Sequence, residues 1–471
     1  WQMARAMIAK NDTVALSPEV FDLNCETLII GGGACGLVAA LSAKEAGQSV
    51  LVIEADAILS GSTALSAGLI PAAGTKVQVA AGITDDAALF ANDIQAKAHQ
   101  ENDQDLVDLL TGNAAETIDW LMDTYNLPFS VITNFDYPGH SQRRMHGLPT
   151  RAGAELIDSL RAACEAVEID IICERRCKTL FCENRLIKGV LVVRPDGEEE
   201  TIGCEKLILA CNGFGGNRAM VKKYMPEIDG AIWFGHDGNQ GEVIRWGVSL
   251  GAALQNLGAY QGHGNVAHPH GILITWAVIT EGGIQVNRDG HRFWNEAQGY
   301  SEAARAVLGK PGSEAFVIFD GRICAIAEQF EDFKKAKSVG AVRSHDTLKG
   351  LAECLGLPPD ALSKSVEDLP KGGKDSFGRS FDNPPLVSPF YGVRVKGALF
   401  HTQGGLRVDS QARVLAEDGR VFLNLYAGGG AACGVSGKGD SGYLSGNGLL
   451  SAFVLGRLAG KASSSSILDN V

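Results

Sequence analysis

The most restrictive feature of this sequence lies near its start. Glu26 to Ile30 is an apolar run, Gly31 to Gly36 reads G-G-G-A-C-G, Leu37 to Ala46 has helical composition, and Gln48 to Glu54 returns as a second apolar run. Strand, glycine turn, helix and strand in that order predict a βαβ unit with parallel strands. In the pattern G-x-G-x-x-G, Gly31 permits the tight turn, Gly33 lets a pyrophosphate approach the helix N-terminus, and Gly36 allows helix and strand to pack closely. Glu54, closing the second strand, is placed to bond a ribose hydroxyl. With every part in register, the unit predicts dinucleotide binding.

The glycines support a ligand in close contact with backbone. There are 58 of them, gathered at Gly31 to Gly36, around Gly213, at Gly404 and from Gly428 to Gly448 rather than spread through a linker. After the second strand, Ser60-G-S-T-A-L-S-A-G is a run of small and hydroxyl residues suited to packing along a pyrophosphate and a flat ring system. Near the far end, Val421-F-L-N-L-Y-A-G-G-G reads as a strand entering a glycine loop, and Gly446-N-G-L-L-S-A-F-V-L opens a helix. The first amides of that helix have no intrahelical partner and can stabilise negative charge on a reduced flavin.

Composition narrows the class. A chain of 471 residues predicts two or three domains, and 45% hydrophobic with 21% charged residues is globular. No run of apolar residues reaches membrane-spanning length, and residues 1–23 read as a short leader arm without the pattern of a signal peptide. A net charge of -13 with dispersed Lys and Arg argues against nucleic acid. The 11 cysteines contain no C-x-x-C pair; neither a disulfide framework nor a metal site is expected, and reduced thiols fit a cytoplasmic location. No haem or iron–sulfur spacing is present, so the electron acceptor stays unknown.

Taken in order, the Gly31 motif with Glu54, Ser62-T-A-L-S-A-G, Ile208-L-A-C-N-G-F-G-G-N, Asn287-R-D-G-H-R-F-W-N-E, His401-T-Q-G-G-L-R-V-D, Tyr426-A-G-G-G and Gly442-Y-L-S-G-N-G-L resemble the fumarate reductase and 3-ketosteroid dehydrogenase group of flavoproteins. The resemblance implies an α/β fold: a Rossmann-like, glutathione-reductase-type FAD-binding domain made from residues 1–264 and 396–471, with an α+β capping domain inserted at 265–395. It implies FAD contacts at Gly31, Gly33, Ala34, Cys35, Gly36, Glu54, Ala55, Ser62, Thr63, Ser66, Ala67, Gly68, Ala210, Gly429, Gly430, Gly446, Asn447 and Leu449. Substrate is expected between the two domains, near Asn447 and Gly448. Succinate dehydrogenases carry flavin covalently on a histidine ahead of the small hydroxyl run. Ile58-L-S-G-S has none, so FAD is expected to be non-covalent.

Within this group the two branches differ in how they activate a small-molecule substrate. Fumarate reductases clamp carboxylates with arginines and histidines; ketosteroid dehydrogenases polarise a ketone with a tyrosine and a backbone amide. The arginine that follows the R-F-x-N-E motif in the reductases falls on Tyr300, and the arginine of R-L-G-G-N-A-L falls on Tyr443. Both substitutions match the ketone branch. They imply that Tyr300 takes the α-proton and that Tyr443, with an amide near Gly448, holds the carbonyl oxygen while hydride passes to flavin N5. The leading expectation is therefore desaturation of a cyclic or enolisable ketone. A phenol is a poor base at neutral pH unless a donor or cation stabilises its anion; Arg292, His291 and His401 are candidates. His401 stands where the reductases hold a carboxylate-binding histidine, which keeps open the alternative, a reductase or dehydrogenase of unsaturated or tricarboxylic acids. His268, in A-H-P-H-G, is a weaker match to the same branch. Trp276, Trp294, Phe293 and Tyr260 read as core, and Arg143 to Arg151 reads as a solvated loop.

Overall fold

The computed structural model describes residues 13–133 and 136–462. Residues 1–12 of the expected leader arm therefore lie outside the described part. The chain forms two compact units: residues 1–220, 235–259 and 401–471 make the first, and residues 221–234 and 260–400 the second. The mixed α/β fold expected from the sequence is the one observed.

The first unit is built on the predicted βαβ. Strand β1 (Leu23–Ile30) leads through the glycine turn to helix α1 (Ala34–Glu45) and strand β2 (Val50–Ile53). The helix starts three residues earlier than its composition indicates, because Gly33 in extended geometry serves as N-cap and Ala34-C-G already lies in the first turn. Strand β3 (Glu199–Leu209) pairs in parallel with β1, setting Ile208 beside Ile29. On its other side β3 takes strand β4 (Val421–Ala427), with Leu207 beside Leu425. Strands buried on both faces carry continuous apolar runs, as here. The nine-stranded sheet continues through β2 to Asp170–Ile172 and, beyond β3, through Leu186–Val193 and Arg176–Glu183 to an edge at Val14–Ala15.

Helix α2 (Asn447–Lys461) covers this sheet by crossing α1 at very short range. A Cβ on Gly456 would stand 2.6 Å from the Cys35 carbonyl oxygen, and one on Gly460 would stand 2.3 Å from that of Ala39. Only glycine lets the two backbones meet this closely.

The second unit is a seven-stranded sheet ordered Ile272–Leu273, Tyr260–Ala267, Phe390–Thr402, Glu314–Asp320, Ile284–Val286, with two short strands added to the long central one. Trp276 and Trp294 belong to its buried core and Phe293 packs against it; Tyr260 is fully buried. The stretch Arg143 to Arg151 departs from expectation. It holds the short strand Met145–Gly147, and Arg144 and His146 are 1% and 0% exposed. Asp85 and Asp93 neutralise Arg144, so this charge can leave water.

Candidate functional site

In the first unit, the glycine turn makes a backbone cradle. Gly31 lies against Ala210, where an added Cβ would come within 2.5 Å of the carbonyl oxygen, and a Cβ on Gly36 would strike Gly31 O at 1.9 Å. Glu54 accepts from the Gly32 amide at 2.8 Å and from the Asp56 amide at 3.1 Å, which fixes its carboxylate at the end of β2. Thr63 Oγ1 accepts from Ala34 N at 3.2 Å, at the start of α1. Ser62 Oγ accepts from the amides of Asn212 and Asn239, both at 2.9 Å. Ser66 donates to Thr63 O at 2.7 Å and accepts from Gly68 N at 3.0 Å, closing the small hydroxyl run upon itself. Cys35 is buried against Gly428 and Gly429, and burial raises its thiol pKa to about 12, so it serves as packing.

At the other end of this cradle α2 begins. Gly446, at φ +87°, is its N-cap and supplies no side-chain cap. Among the described residues, Thr402 Oγ1, Asn447 Oδ1 and Ser451 Oγ are buried oxygens without a hydrogen-bond partner. Thr402 Oγ1 lies against Gly213, and Asn447 and Ser451 stand in the first turns of α2; orphaned buried oxygens beside glycine backbone and at a helix start suit a large polar cofactor carrying a pyrophosphate and hydrogen-bonding ring edges. Ala34, Gly429, Gly430 and Leu449 all lie along these segments.

Tyr443 precedes this helix start and is 6% exposed. Burial raises its pKa, while the amides of Gly448 and Gly446 act in the opposite direction by bonding its oxygen. Both amides are thus spent on the Tyr443 oxygen, which leaves its polarised O–H as the donor available to a substrate oxygen. His401 meets the Tyr443 ring edge to face at 5.5 Å. Its Nδ1 receives the Gln403 Nε2 amide at 3.0 Å, and Gln403 Oε1 accepts from Ser436 Oγ at 2.7 Å. Ser436 in turn accepts from Asn447 Nδ2 at 3.2 Å. An amide nitrogen only donates, so the shorter Gln403 contact at 3.0 Å places the His401 proton on Nε2, against a longer 3.3 Å approach of Nδ1 to the Thr402 carbonyl oxygen, which would call for the other tautomer. Burial pulls the His401 pKa down to about 4. The ring is thus a neutral donor, and its Nε2 faces Gly448, where a Cβ would lie 3.0 Å away. Gln403 and Ser436 were not singled out in the sequence; Gln403 adjoins His401 in H-T-Q-G-G, but Ser436 carries no local signal.

In the second unit, Tyr300 is the first residue of the helix Tyr300–Leu308, after Gly299 at φ +133°. The motif before it is held from below. Glu296, fully buried, accepts from Gln285 N at 3.0 Å and pairs with Arg292 and Arg379. Asn295 accepts from Ala297 N at 3.0 Å, shaping the turn. Arg292, considered as a partner for Tyr300, is instead committed to Glu296 and Asp375. The ring beside Tyr300 is His263, stacked at 5.0 Å and 16°, with Trp276 edge-on to both. His263 Nδ1 accepts from Asn265 N at 3.1 Å and burial lowers its pKa to about 3, so it is neutral and protonated on Nε2. The stack continues from His263 to Phe400 and Phe234. His268, in contrast, directly follows the strand Tyr260–Ala267, and desolvation, followed by the charges of Lys396 and Arg394, lowers its pKa.

Comparison with known proteins agrees with these cradles. The family described as FAD binding domain matches residues 26–449. The chain is 30% identical over 464 residues to the probable fumarate reductase Ifc3 of Shewanella frigidimarina (strain NCIMB 400), spanning 94% of this chain and 75% of that one. It is similar to the open conformation of a flavocytochrome c3 fumarate reductase, with 28% identity, a TM-score of 0.81, and coverage of 99% of this chain and 81% of the other. It also resembles the 3-ketosteroid-delta4-(5alpha)-dehydrogenase from Rhodococcus jostii RHA1 at 23% identity, TM-score 0.77, covering 96% and 99%, a likeness of fold alone. Among the described residues no helix is long and apolar enough to cross a membrane.

Proposed function

The chain belongs to the FAD binding domain family, and from that premise we propose that it is an FAD-dependent oxidoreductase acting on the carbon–carbon bond of an α,β-unsaturated acid or its saturated partner. Bound FAD supplies hydride exchange at its N5 position. The observation that carries this reading is the neutral His401, oriented by Gln403 and set edge-on to Tyr443 where α2 begins. An imidazole N–H and the Tyr443 O–H, polarised by the amides of Gly446 and Gly448, can hold one carboxylate or carbonyl oxygen and stabilise the negative charge that grows there as hydride enters the β-carbon or, in the other direction, as the α-proton leaves. Relatives named as fumarate reductases favour an acid over the ketone that the tyrosines alone suggested. Tyrosines at 300 and 443, where the reductase motifs R-F-x-N-E and R-L-G-G-N-A-L imply arginines, favour an acid with a single carboxylate. Tyr300, stacked on neutral His263, is assigned the proton at the neighbouring carbon.

The second reading, desaturation of an enolisable ketone, keeps the same roles and is favoured by the Tyr443 hydroxyl with its two amides. Titrating the FAD-loaded protein with unsaturated monoacids, dicarboxylates and cyclic ketones, while following flavin absorbance and turnover, separates them. Monoacids are expected to perturb the flavin and turn over. A response to cyclic ketones alone would establish the second reading, and no response to any of the three would refute both.

A further inference from the structure

We propose that His140 is a positioning residue for the Tyr443 hydroxyl, acting through the peptide that joins Ser445 to Gly446; this rests on the reading that the Tyr443 hydroxyl, polarised by its two amides, binds the substrate oxygen. The turn carrying His140 packs directly on the segment after Tyr443, since a Cβ on Gly139 would come within 2.7 Å of Leu444 Cδ1. His140 Nε2 lies 3.0 Å from the carbonyl oxygen of Ser445. That oxygen only accepts, so Nε2 carries the proton. On the other side of the ring, Arg144 Nη1 is 3.5 Å from Nδ1, and a guanidinium only donates. Both neighbours therefore demand the same neutral tautomer. A second proton would face the guanidinium, and burial first, then Arg144, lowers the ring pKa to about 4.

Arg144 is itself anchored. Its side chain is fully buried; Asp85 binds it through two contacts of 2.9 Å, and Asp93 holds the remaining nitrogen. The guanidinium lies 4.7 Å from the Phe90 ring centre. Asp93 also accepts from the backbone amide and hydroxyl of Ser141, each at 2.8 Å, which ties the turn to the same carboxylate.

The consequence follows from peptide planarity. The Ser445 carbonyl and the Gly446 N–H belong to one trans unit and point in opposite directions. Holding the carbonyl on His140 thus turns the Gly446 N–H away from it, and that amide is one of the two acting on the Tyr443 hydroxyl. Gly446, a glycine with positive φ, resists rotation of this peptide poorly without such a hold. Nothing else in the sequence marks His140 for this task, and it touches no reacting group.

The test compares His140→Phe, His140→Asn and His140→Gln in the FAD-loaded protein. Glutamine can carry an N–H to the Ser445 carbonyl; asparagine is too short and phenylalanine has none. His140→Phe and His140→Asn are expected to lower kcat by about 10²-fold with KM little changed, as for loss of one oxyanion donor, and His140→Gln to restore most of it. Hydrogen exchange at the Gly446 amide, read without substrate, is expected to speed up about tenfold in the first two variants and to stay slow in the third. Wild-type kcat and exchange in His140→Asn would overturn the proposal, as would equal losses in all three variants. If the wild-type protein turns over no carbon–carbon substrate, the functional reading fails, and the exchange rates still decide the role of His140.

Discussion

Gly448→Ala should separate stability from catalysis. Gly448 is the second residue of α2, and alanine in a helix is favoured over glycine by up to about 1 kcal/mol, less near the end. The added methyl would stand 2.8 Å from His401 Cε1, 3.0 Å from Nε2 and 3.8 Å from Gln403 Nε2. Carbon–carbon contact becomes comfortable only near ~3.5 Å, so the imidazole must retreat by several tenths of an ångström. It cannot do so freely, because its Nδ1 is held by Gln403, which is held by Ser436 and, through it, Asn447. Displacing a donor by a fraction of an ångström to 1 Å costs up to about 10² in rate. The expected result is a melting temperature equal to or slightly above wild type, unchanged FAD content, and kcat down by about 10-fold to 10²-fold. Thermal unfolding followed by flavin fluorescence, with steady-state kinetics on the substrate found in the titration, measures both. A variant as active as wild type would show that His401 Nε2 is not a working donor.

Three further outcomes are expected. Tyr300→Phe should abolish turnover while FAD binding and folding persist, and a variant with most of its activity would remove Tyr300 from proton transfer. His140, His146, His263 and His401 are all held below the ordinary histidine range, at about 4, 4, 3 and 4, chiefly by burial. The unfolded chain therefore binds more protons below about pH 6.5, so their contribution is full above that value and is lost as pH falls toward about 4, by up to about 1.4 kcal/mol per residue for each pH unit. Urea midpoints equal at pH 7 and pH 5 would contradict this. Finally, the mass of acid-denatured protein should equal that of the polypeptide alone, and an added flavin mass would show a covalent link.

What the sequence disclosed was what local order encodes. The βαβ unit could be read because strand, turn and helix signals adjoin one another, and only the start of α1 moved, since a glycine-rich first turn looks like loop. Tyr300 and Tyr443 were visible because their motifs are contiguous. Residues that orient them were hidden because their partners are remote: His140 and Ser445 are 305 residues apart, and Gln403 and Ser436 are 33 apart. His263 sits in Y-Q-G-H-G without any spacing signal, and its role beside Tyr300 needs the helix Tyr300–Leu308 to pack on the strand Tyr260–Ala267. Arg144 looked solvated because a charge in a polar stretch usually is; two aspartates from another segment reverse that outcome.

The glycine-mediated crossing of α1 and α2 has a consequence for biosynthesis. Ser42 in α1 bonds the carbonyl of Arg457 in α2 at 2.8 Å, across 415 residues of chain. During translation, β1, α1 and β2 can pair early, yet the cleft they form remains open on one side until α2 emerges. Cofactor capture is therefore expected to follow the emergence of α2, and α1 stays without this cover while the 415 residues that separate Ser42 from Arg457 are being made.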